Sequence, residues 1–213
     1  MKHRKTESTL KSHPPIALLR KGHSWIYTTN SGVNMATSVK LKAGDSFPHL
    51  QATLLDGSSV TLGQPQGDAT WRAVFVYRGK HCPLCTKYLN ELESYKQAFA
   101  DAGVDILAVS GDSKAQLEGH LEKLEISFSI AYGLTEEQMK TLGLYVSIPR
   151  SEQETDHNFA EPGLFVVNEH GDLHVVDISN NPFVRPELGA LSRGLAWIRD
   201  PNNNYPIRGT LDY

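Results

Sequence analysis

Apolar residues along this chain follow two patterns, short unbroken runs and stretches with a three- or four-residue spacing. The runs at residues 73–77 and 105–109 are short and largely apolar, which predicts two buried strands. Between them a helical spacing extends over residues 84–99, so we predict one long helix with a single apolar face. The apolar positions of that face are Leu84, Tyr88, Leu92, Tyr95 and Phe99.

The same two patterns continue on both sides of this region. Residues 50–55 and 60–62 flank an Asp56-Gly57 turn signal and predict an N-terminal hairpin. Further strands are predicted at 127–132, 163–167 and 173–178, and further helices near Ser113 and at 135–142 and 186–199. Alternating strands and helices are typical of a sheet that is covered on both faces, so the predicted fold class is α/β.

The first 34 residues differ in composition from the rest of the chain. They contain six Lys or Arg residues against one acidic residue, and they lack a sustained apolar pattern. The other 15 basic and 23 acidic residues give the remainder a net charge of −8, against −3 for the whole chain. We therefore predict a basic, disordered N-terminal extension over residues 1–34 and one domain over residues 35–213.

Targeting signals in the extension are weak. The apolar stretch 16–19 is too short for a signal peptide, and no stretch approaches the length of a membrane span. We expect a cytoplasmic protein with no nucleic-acid or membrane partner, although a basic, acid-poor leader is also compatible with organelle targeting. Translation could instead start at Met35, a hypothesis that native peptides from before Met35 would overturn.

Both cysteines of the chain lie in one short motif, Cys82-Pro83-Leu84-Cys85, between the first buried strand and the long helix. Pro83 suits the first helical position, which makes Cys82 the N-cap residue. The free N–H groups of the first turn and the helix dipole favour a thiolate there, and Lys80 and His81 could add positive charge. Cys85 lies about one turn further on, so the two sulfurs could form a disulfide.

Other interpretations of the two cysteines were compared with this one. A structural zinc site needs four ligands, so histidines such as His81, His120 or His157 would have to complete it. Haem attachment requires a histidine directly after the second cysteine, where this chain has Thr86. Two inert core cysteines are a further alternative. Four histidines show no metal-ligand spacing with a partner, so we predict that they lie on the surface. These are His120, His157, His170 and His174.

Four motifs occur in a fixed order from Gly44 onward. They are Gly44-Asp45-Ser46-Phe47-Pro48, Tyr77-Arg78-Gly79 leading to Cys82-Pro83-Leu84-Cys85, Val109-Ser110-Gly111-Asp112-Ser113, and Pro162-Gly163-Leu164-Phe165-Val166-Val167. Together they resemble the peroxiredoxin-like branch of the alkyl hydroperoxide reductase/thiol-specific antioxidant (AhpC/TSA) family, within the thioredoxin superfamily. The resemblance implies a thioredoxin-like fold: a central mixed β-sheet flanked by helices, with an N-terminal β-hairpin of peroxiredoxin type.

The chain departs from the family pattern at its active-site positions. Typical peroxiredoxins carry a proline seven residues before the peroxidatic cysteine and a threonine or serine three before it. Counting back from Cys85 finds Arg78 and Cys82 at those places. Pro162 occupies the position of a family arginine that helps to polarise the peroxide. A cysteine pair with such a proline resembles thioredoxin, so the bond between Glu161 and Pro162 is a candidate for a cis peptide.

The resemblance implies a thiol-dependent antioxidant oxidoreductase that cycles Cys82 and Cys85 between dithiol and disulfide. Its substrate would be a hydroperoxide or a disulfide, and its reductant a thioredoxin- or glutathione-type thiol, with no organic cofactor or metal. Two alternatives stay open: a thioredoxin-like thiol–disulfide oxidoreductase without peroxidase activity, and a non-enzymatic redox sensor. The N-cap position favours Cys82 as the more exposed, attacking sulfur, whereas the family register favours Cys85.

Four further residues are predicted to support the cysteines: Arg78, His81, Pro83 and Pro162. His81 could stabilise a thiolate or move a proton, and Arg78 could polarise a peroxide or bind a carboxylate. Arg150 and Arg185 are further candidates for the missing family arginine. Asp112 is expected to cap a helix or a turn rather than to act as a base.

Overall fold

The computed structural model describes residues 19–21, 24–26 and 40–211. The chain divides into two units, Met1–Thr37 and Ser38–Tyr213. In the first unit, strands β1 (Leu19–Lys21) and β2 (Ser24–Ile26) pair antiparallel. The predicted disordered extension lies mostly outside the described residues, and so does Met35. All other elements belong to the second unit.

The second unit is built on a mixed sheet of seven strands, which confirms the predicted α/β class. Its strands are β3 (Gln51–Leu54), β4 (Ser59–Thr61), β5 (Trp71–Val76), β6 (Val104–Val109), β7 (Ser129–Tyr132), β10 (Gly163–Val167) and β11 (Leu173–Ile178). They are ordered β11-β10-β5-β6-β7-β3-β4. The central strands β5, β6 and β7 are parallel, and the flanking strands run antiparallel to their neighbours. The predicted β3–β4 hairpin is therefore confirmed.

Five helices cover this sheet. They are α1 (Pro83–Glu93), α2 (Lys96–Asp101), α3 (Lys114–Leu121), α4 (Glu136–Thr141) and α5 (Leu188–Arg199), and a 3-10 turn follows at Pro201–Asn203. Ser113 and Thr135 begin α3 and α4 with capping boxes closed by Gln116 and Gln138, as their sequence positions predict. No helix among the described residues is long and apolar enough to cross a membrane.

The prediction of one long helix over residues 84–99 is wrong in one respect. The helix breaks between α1 and α2, where Ser94 and Tyr95 donate to the carbonyls three residues before them and so tighten the last turn. The periodicity correctly identified the buried side chains of Leu92 and Phe99 but not the break between them. Leu84 is exposed, because the first turn of α1 borders a cavity.

Two apolar layers pack on opposite faces of β5. Trp71, Ala73 and Phe75 point into the layer shared with α1, α2 and α5, whereas Val74 and Val76 point into the other. Every residue of β5 is buried, as the apolar run at residues 73–77 predicts for most of the strand, and the buried Arg72 pairs with Asp105. The cysteine motif follows the C-terminal end of this central strand, so the most buried part of the sheet positions it.

A short antiparallel pair, which the sequence analysis did not predict, lies beside the main sheet. It consists of β8 (Val146–Ser147) and β9 (Phe159–Ala160). Two-residue strands leave no periodic signal in a sequence. The segment between β8 and β9 supplies several side chains to the cavity beside the cysteines.

Candidate active site

The turn that leads from β5 to the cysteines is fixed by a glycine and a buried carboxylate. Gly79 adopts a φ of +130°, and a Cβ at this position would collide with the side chain of Asp112. The same carboxylate accepts a hydrogen bond from the backbone N–H of Lys80, with an N–O distance of 2.8 Å. Burial raises the pKa of Asp112. Asp112 therefore holds a turn, as predicted, and the turn it holds is that of the cysteine motif.

Cys82 is the N-cap residue of α1 and Pro83 is its first helical residue, which confirms both predictions. The backbone N–H of Cys85 donates to the sulfur of Cys82, with an N–S distance of 3.2 Å. The two cysteines form a disulfide, with their Cα atoms 5.2 Å apart. The oxidised state is therefore compatible with an intact start of the helix.

Only one of the two sulfur-bearing residues borders open space in the described part of the chain. Cys82 lines a cavity of ≈ 440 Å³, and Cys85 is not among the residues around it. Both residues are buried, with 1% and 0% of their surface exposed, so the expectation that Cys82 is the more exposed cysteine is wrong. The two cysteines differ instead in that Cys82 lines this cavity. The rim of the cavity carries exposed apolar side chains. They are Leu84, Ile148 and Phe183, with 39%, 80% and 81% exposed.

The sulfur of Cys85 contacts an arginine. The Nη2 atom of Arg185 lies 3.0 Å from this sulfur. The guanidinium also donates through Nε to the carbonyl of Pro182 at 3.2 Å, and it lies 5.0 Å from the centre of the Tyr88 ring. The Tyr88 hydroxyl donates in turn to the carbonyl of Pro186 at 2.9 Å. Of the two candidates for the missing family arginine, Arg185 is therefore the one that reaches a sulfur.

Arg78 and Arg150 line the cavity but are paired with carboxylates. The Nε atom of Arg78 lies 3.3 Å from an oxygen of the buried Glu161, and its Nη2 atom lies 3.7 Å from Glu154. Its guanidinium also stacks 4.6 Å from the ring of Phe159. Arg150 donates to Glu154, and this hydrogen bonding lowers the pKa of Glu154 to about 2. The positive charges on this side of the disulfide therefore have counter-ions.

The predicted positive charge beside Cys82 is not supported. Burial first, and the charge of Arg78 next, lower the pKa of His81 to about 4, so its imidazole is neutral at pH 7. Neither ring nitrogen of His81 has a hydrogen-bond partner among the described residues, and the ring packs 4.5 Å from Phe159. The ammonium of Lys80 packs against Gly119 on α3. Neither residue supplies a cation to the sulfur.

Pro162 is buried directly before β10, and its carbonyl accepts a hydrogen bond from the backbone N–H of Ser179 at 3.0 Å. The bond between Glu161 and Pro162 is trans, so the cis peptide considered from the sequence is absent. Glu161 instead turns its carboxylate toward Arg78 and the hydroxyl of Ser147. The predicted role of Pro162 beside the sulfurs stays a prediction.

The prediction that His120 lies on the surface is wrong. Its side chain is fully buried on α3, and its Nε2 atom lies 2.9 Å from the hydroxyl of Thr86, directly after Cys85. Burial lowers the pKa of His120 to about 4. The three-residue spacing from the buried Leu117 was a signal that could have placed this histidine on the inner face of the helix. His157 and His174 are partly buried, and His170 is exposed.

The arrangement of ionisable side chains does not form a metal cage within residues 40–211. No group of three or more His, Cys, Asp or Glu residues there could hold a metal ion. The site therefore includes a disulfide, the cavity that Cys82 lines, and a small set of arginines and carboxylates. Such a site can perform thiol and disulfide chemistry with the two sulfurs alone.

The family model described as the AhpC/TSA family matches residues 43–176. Putative chloroplastic peroxiredoxin Q of Oryza sativa subsp. indica is 24% identical over 127 residues, covering 55% of this chain and 58% of the relative. Peroxiredoxin Bcp of Escherichia coli K12 is 32% identical over 90 residues, covering 42% and 56%. The chain thus spans a little more than half the length of these relatives.

The solved structures show the same fold. The structure of Mycobacterium tuberculosis AhpC matches with a TM-score of 0.61 and 19% sequence identity, covering 76% of this chain and 96% of that one. This likeness confirms the expected thioredoxin-like arrangement of a mixed sheet with flanking helices.

Proposed function

The chain belongs to the AhpC/TSA family, and on that premise we propose that it is a thiol-dependent antioxidant oxidoreductase. In this proposal Cys82 and Cys85 cycle between dithiol and disulfide while they reduce a hydroperoxide or a disulfide. The electrons come from a thioredoxin- or glutathione-type thiol. One observation supports this most directly: a disulfide at the start of α1 has one sulfur beside a cavity and the other beside an arginine.

The peroxide half of the cycle needs only the two sulfurs. The Cys82 thiolate attacks the distal peroxide oxygen, the O–O bond breaks, and the alkoxide or hydroxide takes a proton from water. The sulfur is left as a sulfenic acid. The Cys85 thiolate then attacks that sulfur and displaces hydroxide, which forms the disulfide. Two electrons pass from the cysteines to the peroxide, and the family register would reverse the two roles.

The cavity beside Cys82 favours substrates with an apolar part. Leu84, Ile148 and Phe183 form an exposed apolar rim, and the lining also includes Arg78, Arg150 and Glu154. Burying apolar groups of a substrate against such a rim contributes roughly 25 cal/mol per Å². An organic hydroperoxide or a disulfide on a polypeptide fits this description better than hydrogen peroxide alone.

A second candidate function is thiol–disulfide exchange without peroxidase activity. It is favoured by Cys82 at the position of the family's threonine and by Pro162 at the position of its arginine. A redox sensor differs from both, because it would be oxidised once and would turn over slowly with every reductant. Catalytic turnover therefore separates the two enzymes from the sensor.

Stopped-flow oxidation of the reduced protein tests the proposal. Hydrogen peroxide and cumene hydroperoxide are mixed with wild type, Cys82→Ser and Cys85→Ser, and consumption of peroxide is followed. We expect a second-order reaction much faster than that of free cysteine, retained in only one of the two variants. If all three proteins react like an ordinary thiol, the peroxidase is excluded. Turnover of hydroxyethyl disulfide with glutathione would then support the exchange enzyme, and its absence would leave the sensor.

A further inference from the structure

Arg185 is an unusual arginine in this protein, because it is partly buried without a carboxylate partner. Within residues 40–211 the buried side chain of Arg72 pairs with Asp105, and Arg78 pairs with Glu161. Arg185 forms no ion pair there, and its recorded polar contacts are the Cys85 sulfur and one backbone carbonyl. A cation that is withdrawn from water without a counter-ion is destabilising. The disulfide, which carries no charge, does not relieve that cost.

Reduction of the disulfide would supply the missing counter-ion. A thiolate on Cys85 would place a negative charge at the atom that already lies 3.0 Å from Nη2 of Arg185. A hydrogen bond between a charged donor and a charged acceptor is about twice as strong as a neutral one. The guanidinium of Arg185 therefore stabilises the reduced form more than the oxidised form.

The guanidinium is held in this position before reduction takes place. Its Nε atom is bonded to the carbonyl of Pro182, and its plane lies over Tyr88, whose hydroxyl fixes the next turn of chain at Pro186. The charged groups that act on it electrostatically are Arg78 and Glu161, which pair with each other. Neither of them competes for the guanidinium, so it remains directed at the sulfur.

We propose that Arg185 is a catalytic residue that holds Cys85 as the leaving thiolate, which makes Cys82 the sulfur attacked by the reductant. The proposal rests on the redox cycle proposed above and assigns a direction to it. Cys82 borders the cavity and Cys85 does not, so a reductant reaches the first sulfur and the second departs toward the arginine.

The step balances with two reductant thiolates. The first attacks the Cys82 sulfur, forms a mixed disulfide with it and breaks the bond to Cys85, whose sulfur keeps the electron pair beside Arg185. The second reductant thiolate attacks the reductant sulfur of the mixed disulfide and releases Cys82 as a thiolate. The products are one reductant disulfide and the reduced cysteine pair. A leaving thiol with a lower pKa departs faster, so Arg185 accelerates the first step.

The pKa of the Cys85 thiol tests this assignment without requiring turnover. It is measured from thiolate absorbance in a Cys82→Ser background, alone and combined with Arg185→Met, Arg185→Lys or Arg193→Met. Arg193 is an exposed arginine of α5 and serves as the matched control. We expect a Cys85 pKa below the ordinary value of about 8.5. It should rise by roughly one unit or more with methionine, rise less with lysine and stay constant with Arg193→Met.

The reduction potential of the intact cysteine pair is the second readout. Equilibration of Arg185→Met with glutathione buffers should show a roughly tenfold shift toward the disulfide, which corresponds to about 30 mV toward a more negative potential. Circular dichroism at the same temperature checks that each variant is folded, and Arg185→Lys keeps the test valid if the methionine variant unfolds.

Two outcomes would overturn the inference while leaving the proposed function intact. One is an ordinary Cys85 pKa that does not respond to Arg185→Met in a protein that still turns over. The other is a pKa shift that appears on Cys82 instead, measured in the Cys85→Ser background. Failure of the proposed function looks different, because wild type would then show no turnover with any peroxide or disulfide while the Cys85 pKa could still be low.

Discussion

The two sulfurs of the active pair are three residues apart in sequence, yet their charged surroundings differ. Cys82 lines a cavity whose two arginines, Arg78 and Arg150, are neutralised by carboxylates. Cys85 faces the segment before α5, which contributes the unpaired Arg185. The comparison shows that a symmetrical-looking motif acquires two distinct functions from distant residues: one sulfur receives an open approach and the other a cation.

Removal of either sulfur should produce the largest effect. Cys85→Ser should still allow oxidation of Cys82 but should turn over far more slowly than wild type, because an external thiol must then replace the resolving thiol. Cys82→Ser should lose both oxidation by substrate and turnover, since Cys85 does not border the cavity. Steady-state turnover with glutathione and single-turnover oxidation are the two measurements. Full turnover by either variant would contradict the division of labour.

Loss of Arg78 should destabilise the protein more than loss of Arg185, although both lie at the site. Arg78→Met leaves the buried carboxylate of Glu161 without its partner, which should cost about 3 kcal/mol in the free energy of unfolding. Arg185→Met leaves no carboxylate uncompensated and should cost less. Urea unfolding of the oxidised proteins measures both losses, and the double variant Arg78→Met with Glu161→Gln should recover part of the first. Equal losses would argue against the contrast between the two arginines.

Gly79 offers a smaller test of how the motif is positioned. Gly79→Ala combines an unfavourable φ with a collision against Asp112, and should cost roughly 2–3 kcal/mol of stability. Gly57→Ala is the matched control, since it also has a positive φ but has open space around a Cβ, and should cost only about 1 kcal/mol. Thermal or urea unfolding compares them. A similar loss of unfolding free energy in both variants would mean that the Asp112 side chain moves aside at little cost and does not fix the turn.

The buried His120 should give stability a modest dependence on pH. Its pKa of about 4 in the folded state lies below the ordinary value of 6.5, so the unfolded chain binds more protons as pH falls between these values. Stability should therefore fall in that range, by roughly 1–2 kcal/mol from neutral pH to about pH 5 through this residue. His120→Gln, which cannot titrate, should flatten the unfolding free energy against pH. If the unfolding free energy of this variant depended on pH as steeply as that of wild type, other titratable groups would be the cause of the pH dependence.

The fold could be predicted from the sequence because its signals are local. The unbroken apolar run of β5, the capping residues Ser113 and Thr135 and the position of Pro83 each act within a few residues. The break between α1 and α2 was missed, because the apolar spacing continues across it while the hydrogen bonding does not.

The chemistry around the sulfurs was predicted less completely, because it depends on contacts between distant parts of the chain. Arg185 was predicted as one of two candidates for the missing family arginine. Its contact with Cys85 joins residues 100 positions apart, so only the folded structure reveals it. The expected charge on His81 was wrong because burial keeps its ring neutral, which no local pattern reveals. His120 was wrongly assigned to the surface because its burial, too, is not revealed by a local pattern of residue types.

The most direct measurement of the central claim is intact-mass analysis of Cys82→Ser and Cys85→Ser after exposure to glutathione disulfide. In this reaction a cysteine thiolate attacks glutathione disulfide, forms a mixed disulfide and releases one glutathione, which is the reverse of the last step of reduction by glutathione. The glutathione adduct therefore marks the cysteine that reacts with external disulfides. We predict a stable adduct on Cys82 in the Cys85→Ser variant and little or none on Cys85 in the other. An adduct that forms as fast or faster on Cys85 would contradict the claim that the two sulfurs have separate roles.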